Sequence, residues 1–288
     1  MNYRHHFHAG NFADVMKHVL LIGLLRTMQR KEKGFLYLDT HAGRGRYDLL
    51  AAATGDSHAR EAEWPHGIGR LLALENLPAR LAEYVGLVRE FDRRFGNLQA
   101  GLRFYPGSPW IARELGRLQD RLALYEQHPA EAAALKAEFQ LSPCTVVHAN
   151  NGYGALRALL PPVERRALVL IDPPFEAQDE FALIARALGE GLIRFRSGVF
   201  CIWYPLTERA RVDEFFAAVR QLQPPPTLAI ELEIAGPQSI IKLKGCGLLV
   251  INPPWQFDAE ARELMGFLAA ALAQAPQGRS RVEWVVPE

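Results

Sequence analysis

Apolar residues along the chain fall into two alternating patterns, short unbroken runs and longer stretches at helical spacing. The runs are Phe35-Leu38, Leu122-Tyr125, Thr145-His148, Ala167-Ile171, Val199-Trp203, Leu228-Leu232 and Leu248-Ile251. Runs this short and this apolar read as strands covered on both faces. Helical patterns such as Glu131-Phe139 and Glu180-Ala187 separate most of them. The alternation predicts an α/β fold with a doubly wound, mostly parallel, seven-stranded sheet. Val282-Val286 reads as a further strand in a C-terminal hairpin. Before the first strand, a helix is expected from Asn11 to about Arg30. Asn11 can cap it, and Asp14, three residues on, fits a capping box. Lys17 and His18 follow Asp14 by three and four residues, so the three share one helix face.

One interval breaks the rhythm. Between Tyr47 and about Arg103 no strand is expected, and Leu71, Leu72, Leu74, Leu81, Tyr84, Val85, Leu87, Val88 and Phe91 recur near helical spacing. A main domain of residues 1–48 and 104–288, with a helical subdomain inserted at 49–103, follows from this. The length of 288 residues and 49% hydrophobic content suffice for one large core with such an insertion.

A formal net charge of +1 excludes nucleic-acid binding by bulk charge. A nucleic-acid substrate would need a local basic patch, and Arg4, Arg44, Arg46, Arg93, Arg94, Arg165, Arg166, Arg194 and Arg196 are the candidates, with Arg93 and Arg94 first. Cys144, Cys201 and Cys246 are far apart, which points to buried thiols in a reducing cytoplasm. No signal peptide or membrane span is expected. His5, His6, His8 and His18 lack metal-ligand spacing and read as a surface or substrate-contacting cluster, not a metal site.

Candidate chemistry gathers at strand ends. Asp39-Thr40-His41-Ala42-Gly43-Arg44-Gly45 follows the first strand. Its glycines allow the backbone to pass close to a ligand, where doubly wound sheets bind cofactors. Asp48 occupies the third glycine place of a dinucleotide fingerprint, which disfavours NAD. The D-x-x-x-G-x-G form is closer to the S-adenosylmethionine (SAM) pocket of class I methyltransferases. Glu126 ends the next strand, where such a pocket needs an acceptor for ribose hydroxyls. Asn151, ahead of Gly152, ends the third and can meet an adenine amine, and Asp172 ends the fourth.

Asp172-Pro173-Pro174-Phe175 matches [DNS]-P-P-[YFW], the signature of methyltransferases acting on planar amines. Asp172 and the Pro173 carbonyl can accept the amine hydrogens while Phe175 stacks on the ring. A second copy, Asn252-Pro253-Pro254-Trp255, follows a later strand. Strand order favours Asp172 and leaves Asn252 as a strand end near the far edge of the sheet, or as part of an aromatic floor beside a substrate channel. The tetrapeptide alone leaves open adenine in RNA or DNA and a protein glutamine side chain. A non-catalytic RNA-binding module on this fold is a further alternative, disfavoured by the complete set of polar strand ends.

Longer strings narrow the choice. Tyr3-Arg4-His5-His6-Phe7-His8-Ala9-Gly10-Asn11, Asp14-Val15-Met16-Lys17-His18, Leu36-Tyr37-Leu38-Asp39-Thr40-His41-Ala42-Gly43, Tyr105-Pro106-Gly107-Ser108-Pro109, Leu170-Ile171-Asp172-Pro173-Pro174, Trp203-Tyr204-Pro205 and Trp284-Val285-Val286-Pro287-Glu288 closely resemble the RlmJ family of bacterial 23S ribosomal RNA adenine-N6 methyltransferases. The resemblance implies a Rossmann-like class I SAM-dependent methyltransferase, cytoplasmic and monomeric, acting on RNA before ribosome assembly is complete. It implies SAM contacts from His18, His41, Ser108, Glu126, Asn151, Gly152 and Asp172. It implies catalysis by Asp172 with Lys17, and substrate contact from Tyr3, Pro173 and Phe175. Two positions depart from the family pattern: Asn151 replaces an aspartate, and Phe175 a tyrosine.

Overall fold

A computed structural model of the chain describes residues 7–50, 62–99, 101–236, 238–274 and 278–288. Among the described residues ten strands form: β1 (Leu36–Asp39), β2 (Arg46–Asp48), β3 (Phe104–Pro106), β4 (Arg121–Tyr125), β5 (Thr145–His148), β6 (Ala167–Ile171), β7 (Val199–Pro205), β8 (Thr227–Glu233), β9 (Gly245–Ile251) and β10 (Arg279–Val286). Eight of them make one sheet in the order β5-β4-β1-β6-β7-β9-β8-β10. Pairing is parallel from β5 to β7, and β9 runs antiparallel to both its neighbours. The order runs outward from β1 to β5 and restarts on the other side at β6. This places a topological switch point between β1 and β6, where open α/β sheets hold ligands. The arrangement is the Rossmann-like fold of class I methyltransferases.

The sheet has eight strands where seven were expected. The eighth, β10, pairs antiparallel with β8 (Arg279↔Glu233 to Val286↔Thr227), so it is not the hairpin partner of β9. Its first half, Arg279-Ser280-Arg281, is exposed and polar, which hides it from a search for apolar runs. It covers the ladder edge that β8 would otherwise present to solvent.

Helices α1 (Phe12–Met28), α2 (Ile68–Leu72), α3 (Ala79–Arg94), α4 (Ser108–Leu115), α5 (Pro129–Phe139), α6 (Tyr153–Leu159), α7 (Glu180–Arg194), α8 (Arg209–Gln221) and α9 (Phe257–Ala271), with a short 3-10 turn at Trp64–His66, complete the described elements. Side chains alternate along β6 as strand geometry requires. Leu168 and Leu170 enter the core shared with α1, α4 and α9, while Ala167, Val169 and Ile171 enter the core shared with α6, α7 and α8.

Between Leu50 and Arg103 the described regular structure is helical. Leu81, Tyr84, Val85 and Val88 of α3 join the core of α1, so this segment is packed onto the sheet domain. The short pair β2–β3, with Tyr47 opposite Tyr105, closes its neck. At the start of α1, the Asn11 side-chain Oδ1 accepts from the backbone N–H groups of Ala13 and Asp14. The capping box closes one residue earlier than expected. Asp14 Oδ2 accepts from Gly10 N at 2.9 Å, while Asn11 N donates to the His8 carbonyl. No described helix is long and apolar enough to cross a membrane.

Candidate active site

Asp172 leaves β6 at the switch point, and its surroundings come from distant parts of the chain. Lys17 Nζ donates to Asp172 Oδ2 at 2.6 Å and to Asp14 Oδ1 at 2.8 Å. Asp14 and Lys17 are buried side chains of α1, and Asp172 is nearly so. Burial alone would lower the Lys17 pKa, but Asp14 and Asp172 together hold it well above its ordinary value. The ammonium is therefore a fixed positive charge that anchors one oxygen of Asp172 and leaves the other to a second donor.

Two prolines carry the chain from Asp172 to Phe175, which adopts φ +51°. That conformation costs a bulky residue about 1–2 kcal/mol. The aromatic packing that holds it is edge-to-face, with ring centroids 5.0 Å from Phe181 and 5.7 Å from Trp203. The Phe175 ring thus has a fixed plane beside the Asp172 carboxylate.

The β1 end supplies the next wall. Asp39 accepts from Ser108 Oγ at 2.7 Å, Tyr37 Oη at 2.9 Å and His41 N at 3.3 Å. Burial raises its pKa to about 6, against the pull of the Ser108 and Tyr37 bonds. Asp39 therefore organises the loop from beneath and fixes Ser108. His41 is pushed down to about 3 by burial, so its ring is neutral. The ring lies edge-on to Tyr153, 5.0 Å away. Gly43 turns at φ +60° and donates its N–H to Glu126 Oε2 at 2.8 Å, while His128 N donates to Oε1 at 2.7 Å. Each Glu126 oxygen keeps a second lone pair for another donor. His18 Nδ1 is 2.8 Å from Tyr105 Oη, which in turn meets Tyr84 Oη.

Asn151 and Gly152 complete the ring of loops. The Asn151 side-chain oxygen accepts from Tyr153 N at 2.9 Å and so starts α6. Its role as an acceptor is already half used in holding that turn. Gly152 approaches the β1 end so closely that a Cβ would lie 1.8 Å from the Thr40 carbonyl oxygen. Only glycine fits there.

These loops enclose a cleft of about 990 Å³. Lys17, His18, His41, Ser108, Glu126, Asn151, Asp172, Pro173 and Phe175 line it, and Gly152 lies beneath its wall. Tyr3 lies outside the described residues, as do Arg4, His5 and His6. Tyr153, Glu180, Phe181, Trp203 and Arg211 also line the cleft, and the sequence reading did not select them as site residues. Tyr153 Oη donates to Glu180 Oε1 at 2.5 Å. Their signal was weak, since each lies within or at the start of an element whose pattern packing already explains. Among the described residues, no group of three His, Cys, Asp or Glu side chains is placed to hold a metal ion.

The second Pro-Pro motif lies elsewhere. Because β9 runs antiparallel, its C-terminal end falls at the edge opposite Asp172. Asn252 Nδ2 donates to the Arg196 and Gly198 carbonyls at 2.7 and 2.8 Å, bracing the turn that enters β7. Trp255 is 75% exposed and forms no floor to the cleft. Asn252→Ala is therefore expected to leave the chemistry of the cleft intact and to lower stability by about 1–2 kcal/mol, read by thermal unfolding. Loss of activity with an unchanged melt would reverse this assignment.

Most of the candidate arginines have internal partners. Arg93 pairs with Glu90, Arg94 with Glu114, Arg44 with Glu131 and Arg46 with Glu138. Arg166 donates to the Lys33 and Met28 carbonyls and Arg196 to the Gln223 carbonyl.

The curated large-subunit ribosomal RNA methyltransferase J proteins of Haemophilus influenzae and Escherichia coli K12 are each 39% identical to the chain, over the full length of both partners. A crystal structure of a Legionella pneumophila protein superposes with a TM-score of 0.84 at 35% identity, over 96% of this chain and 97% of that one. A family model described as "Ribosomal RNA large subunit methyltransferase D, RlmJ" matches residues 32–286, from the strand that enters the glycine loop to the one that closes the sheet, and the chain belongs to that family.

Proposed function

We propose that the protein transfers a methyl group from SAM to the exocyclic N6 amine of an adenine in 23S ribosomal RNA, on naked RNA or an early assembly intermediate. The observation that carries this reading is the Lys17-anchored Asp172 beside the conformationally fixed Phe175, at the switch point of a methyltransferase sheet. The residues present suit the cofactor. A volume of about 990 Å³ accommodates a cofactor and a base side by side. Glu126 suits ribose hydroxyls, and the close Gly152–Thr40 approach leaves a narrow backbone wall for a flat ring. His18, His41, Ser108, Asn151 and Asp172 complete the proposed contacts. The charge lost at Asn151 matters little, because its carbonyl oxygen still accepts.

When bound, SAM supplies the electrophilic methyl group. The chain supplies alignment. Asp172 and the Pro173 carbonyl accept the two amine hydrogens, which concentrates the nitrogen lone pair on the opposite side. Phe175 holds the base plane, and without a tyrosine hydroxyl it does so by stacking alone. Lys17 orients the Asp172 carboxylate through its bond to Oδ2. With SAM bound, formation of the N–C bond would break the methyl's bond to the sulfonium sulfur and leave a neutral thioether, while Asp172 takes the amine proton, directly or through water. The base must leave its stack to reach this slot. Tyr3 is assigned to substrate contact, and residues 49–103 to an inserted helical subdomain. The same reading makes the protein a cytoplasmic monomer that needs no metal.

The decisive experiment maps N6-methyladenosine in 23S RNA from cells with and without the gene, and adds purified protein and tritiated SAM to the unmethylated RNA. One adenine should gain the label at N6. Label on another base, or none, would overturn the proposal.

A further inference from the structure

The β8–β9 connection reaches the mouth of the cleft and has a surface the chemistry above does not use. Ile234 N donates to the Lys244 carbonyl at 2.8 Å, closing the ladder at its base. Ser239 N donates to the Gly236 carbonyl, and Ile241 N to Ser239 Oγ at 3.2 Å, so Ser239 and Ile241 are tied to their neighbours. Side chains then alternate. Ile241 and Leu243 pack against the core, and Leu243 lines the cleft. Ile240 is 100% exposed and Lys242 is exposed beside it. Leu206 N bonds the Gly245 carbonyl at 2.9 Å, fixing this connection to the end of β7, which carries Trp203. Trp203 packs on Phe175, so the hairpin stands next to the base slot.

Ile240 is the most exposed large apolar side chain among the described residues, and unlike the others it stands on a connection tied to the mouth of the cleft. An exposed aliphatic side chain followed two residues later by an exposed lysine suits one kind of partner, a nucleic-acid strand whose base has been extruded. Apolar wedges fill or open base steps, and ammonium groups meet the flanking phosphates. A slot that accepts a base out of its stack leaves such a gap beside it. We propose that Ser239–Lys244 is an RNA-engaging hairpin, in which Ile240 enters the stack next to the target nucleotide and Lys242 contacts a neighbouring phosphate. This rests on the reading of the cleft as an RNA adenine site.

The test uses Ile240→Ala and Lys242→Ala in the full chain, with an unmodified 23S RNA transcript as the probe. RNA affinity is read by filter binding over a salt series, SAM affinity by calorimetry, and methyl transfer separately. Ile240→Ala should bind RNA about tenfold more weakly, with an unchanged salt slope. Lys242→Ala should reduce the slope of log affinity against log salt by about 0.8. SAM affinity should not change in either variant. Wild-type RNA affinity and slope in both variants would overturn the hairpin assignment, whatever the transfer assay shows. RNA binding that weakens as expected, with a wild type that transfers no methyl group, would instead keep the hairpin and overturn the reading of the active site.

Discussion

Asp172→Ala is expected to abolish methyl transfer, with a loss of roughly a thousandfold or more, while the protein still folds and binds SAM. The variant removes an acceptor for the amine and the group that takes its proton, and no neighbour can substitute. Lys17 remains paired with Asp14 at 2.8 Å, so deleting Asp172 does not strand a buried cation. The slot itself persists, because Phe175 is held by Phe181 and Trp203 independently of the carboxylate. Asp172→Asn separates the two roles. Its amide keeps an acceptor for the amine but takes no proton at neutral pH, so it should retain a small fraction of activity that alanine lacks. Single-turnover transfer of tritiated methyl to unmodified 23S RNA reads both. Activity of the alanine variant within about threefold of wild type would remove Asp172 from the chemistry.

The framework of this site was legible in the sequence for a physical reason. Parallel strands buried on both faces are apolar throughout, so the first polar residue marks where each meets the cleft. Asp39, Glu126 and Asp172 stand out in this way, whereas Asn151 follows the partly exposed edge strand β5 and is marked only by its place in the Asn-Gly turn; all four lie on one edge. Direction was less visible. Nothing in Gly245-Ile251 shows that β9 runs opposite to β7, and only that reversal sends Asn252 to the far edge. Of β10 only Val282-Val286 was visible, because the exposed polar half at Arg279-Ser280-Arg281 breaks the apolar run, and its pairing with β8 was not. Contacts between distant segments were the least accessible. The sequence showed Asp14, Lys17 and His18 on one helix face, but the 2.6 Å bond to Asp172 spans 155 positions and depends on α1 packing across the sheet. The arginines mislead in the same way, because a charge run does not reveal that Glu90 and Glu114 already occupy Arg93 and Arg94.

That long-range bond carries the other large effect. Lys17→Met is expected to cost about 3–5 kcal/mol at neutral pH, more than a typical surface ion pair could account for. The methionine fills much of the space, yet it leaves Asp14 and Asp172 facing each other with side-chain exposures of only 4% and 16%. Two carboxylates so placed repel, and neither is well hydrated. The sign of the pH dependence follows. In the wild type the folded state holds the Lys17 proton more tightly than the unfolded chain does, so its contribution is fully present below the ordinary lysine pKa and is lost only as pH rises through the higher folded value. In the variant the burden lies on the carboxylates, so the stability gap to wild type should narrow as pH falls and they are neutralised. Transfer should fall about a hundredfold in the same protein, because Asp172 loses the contact that orients it. Denaturant unfolding of both proteins from pH 4 to pH 8, with single-turnover rates alongside, tests this. A variant as stable as wild type at pH 7 would show that the ammonium does not offset the repulsion of this pair, and the mechanism would lose the contact that holds Asp172 in place beside Asp14.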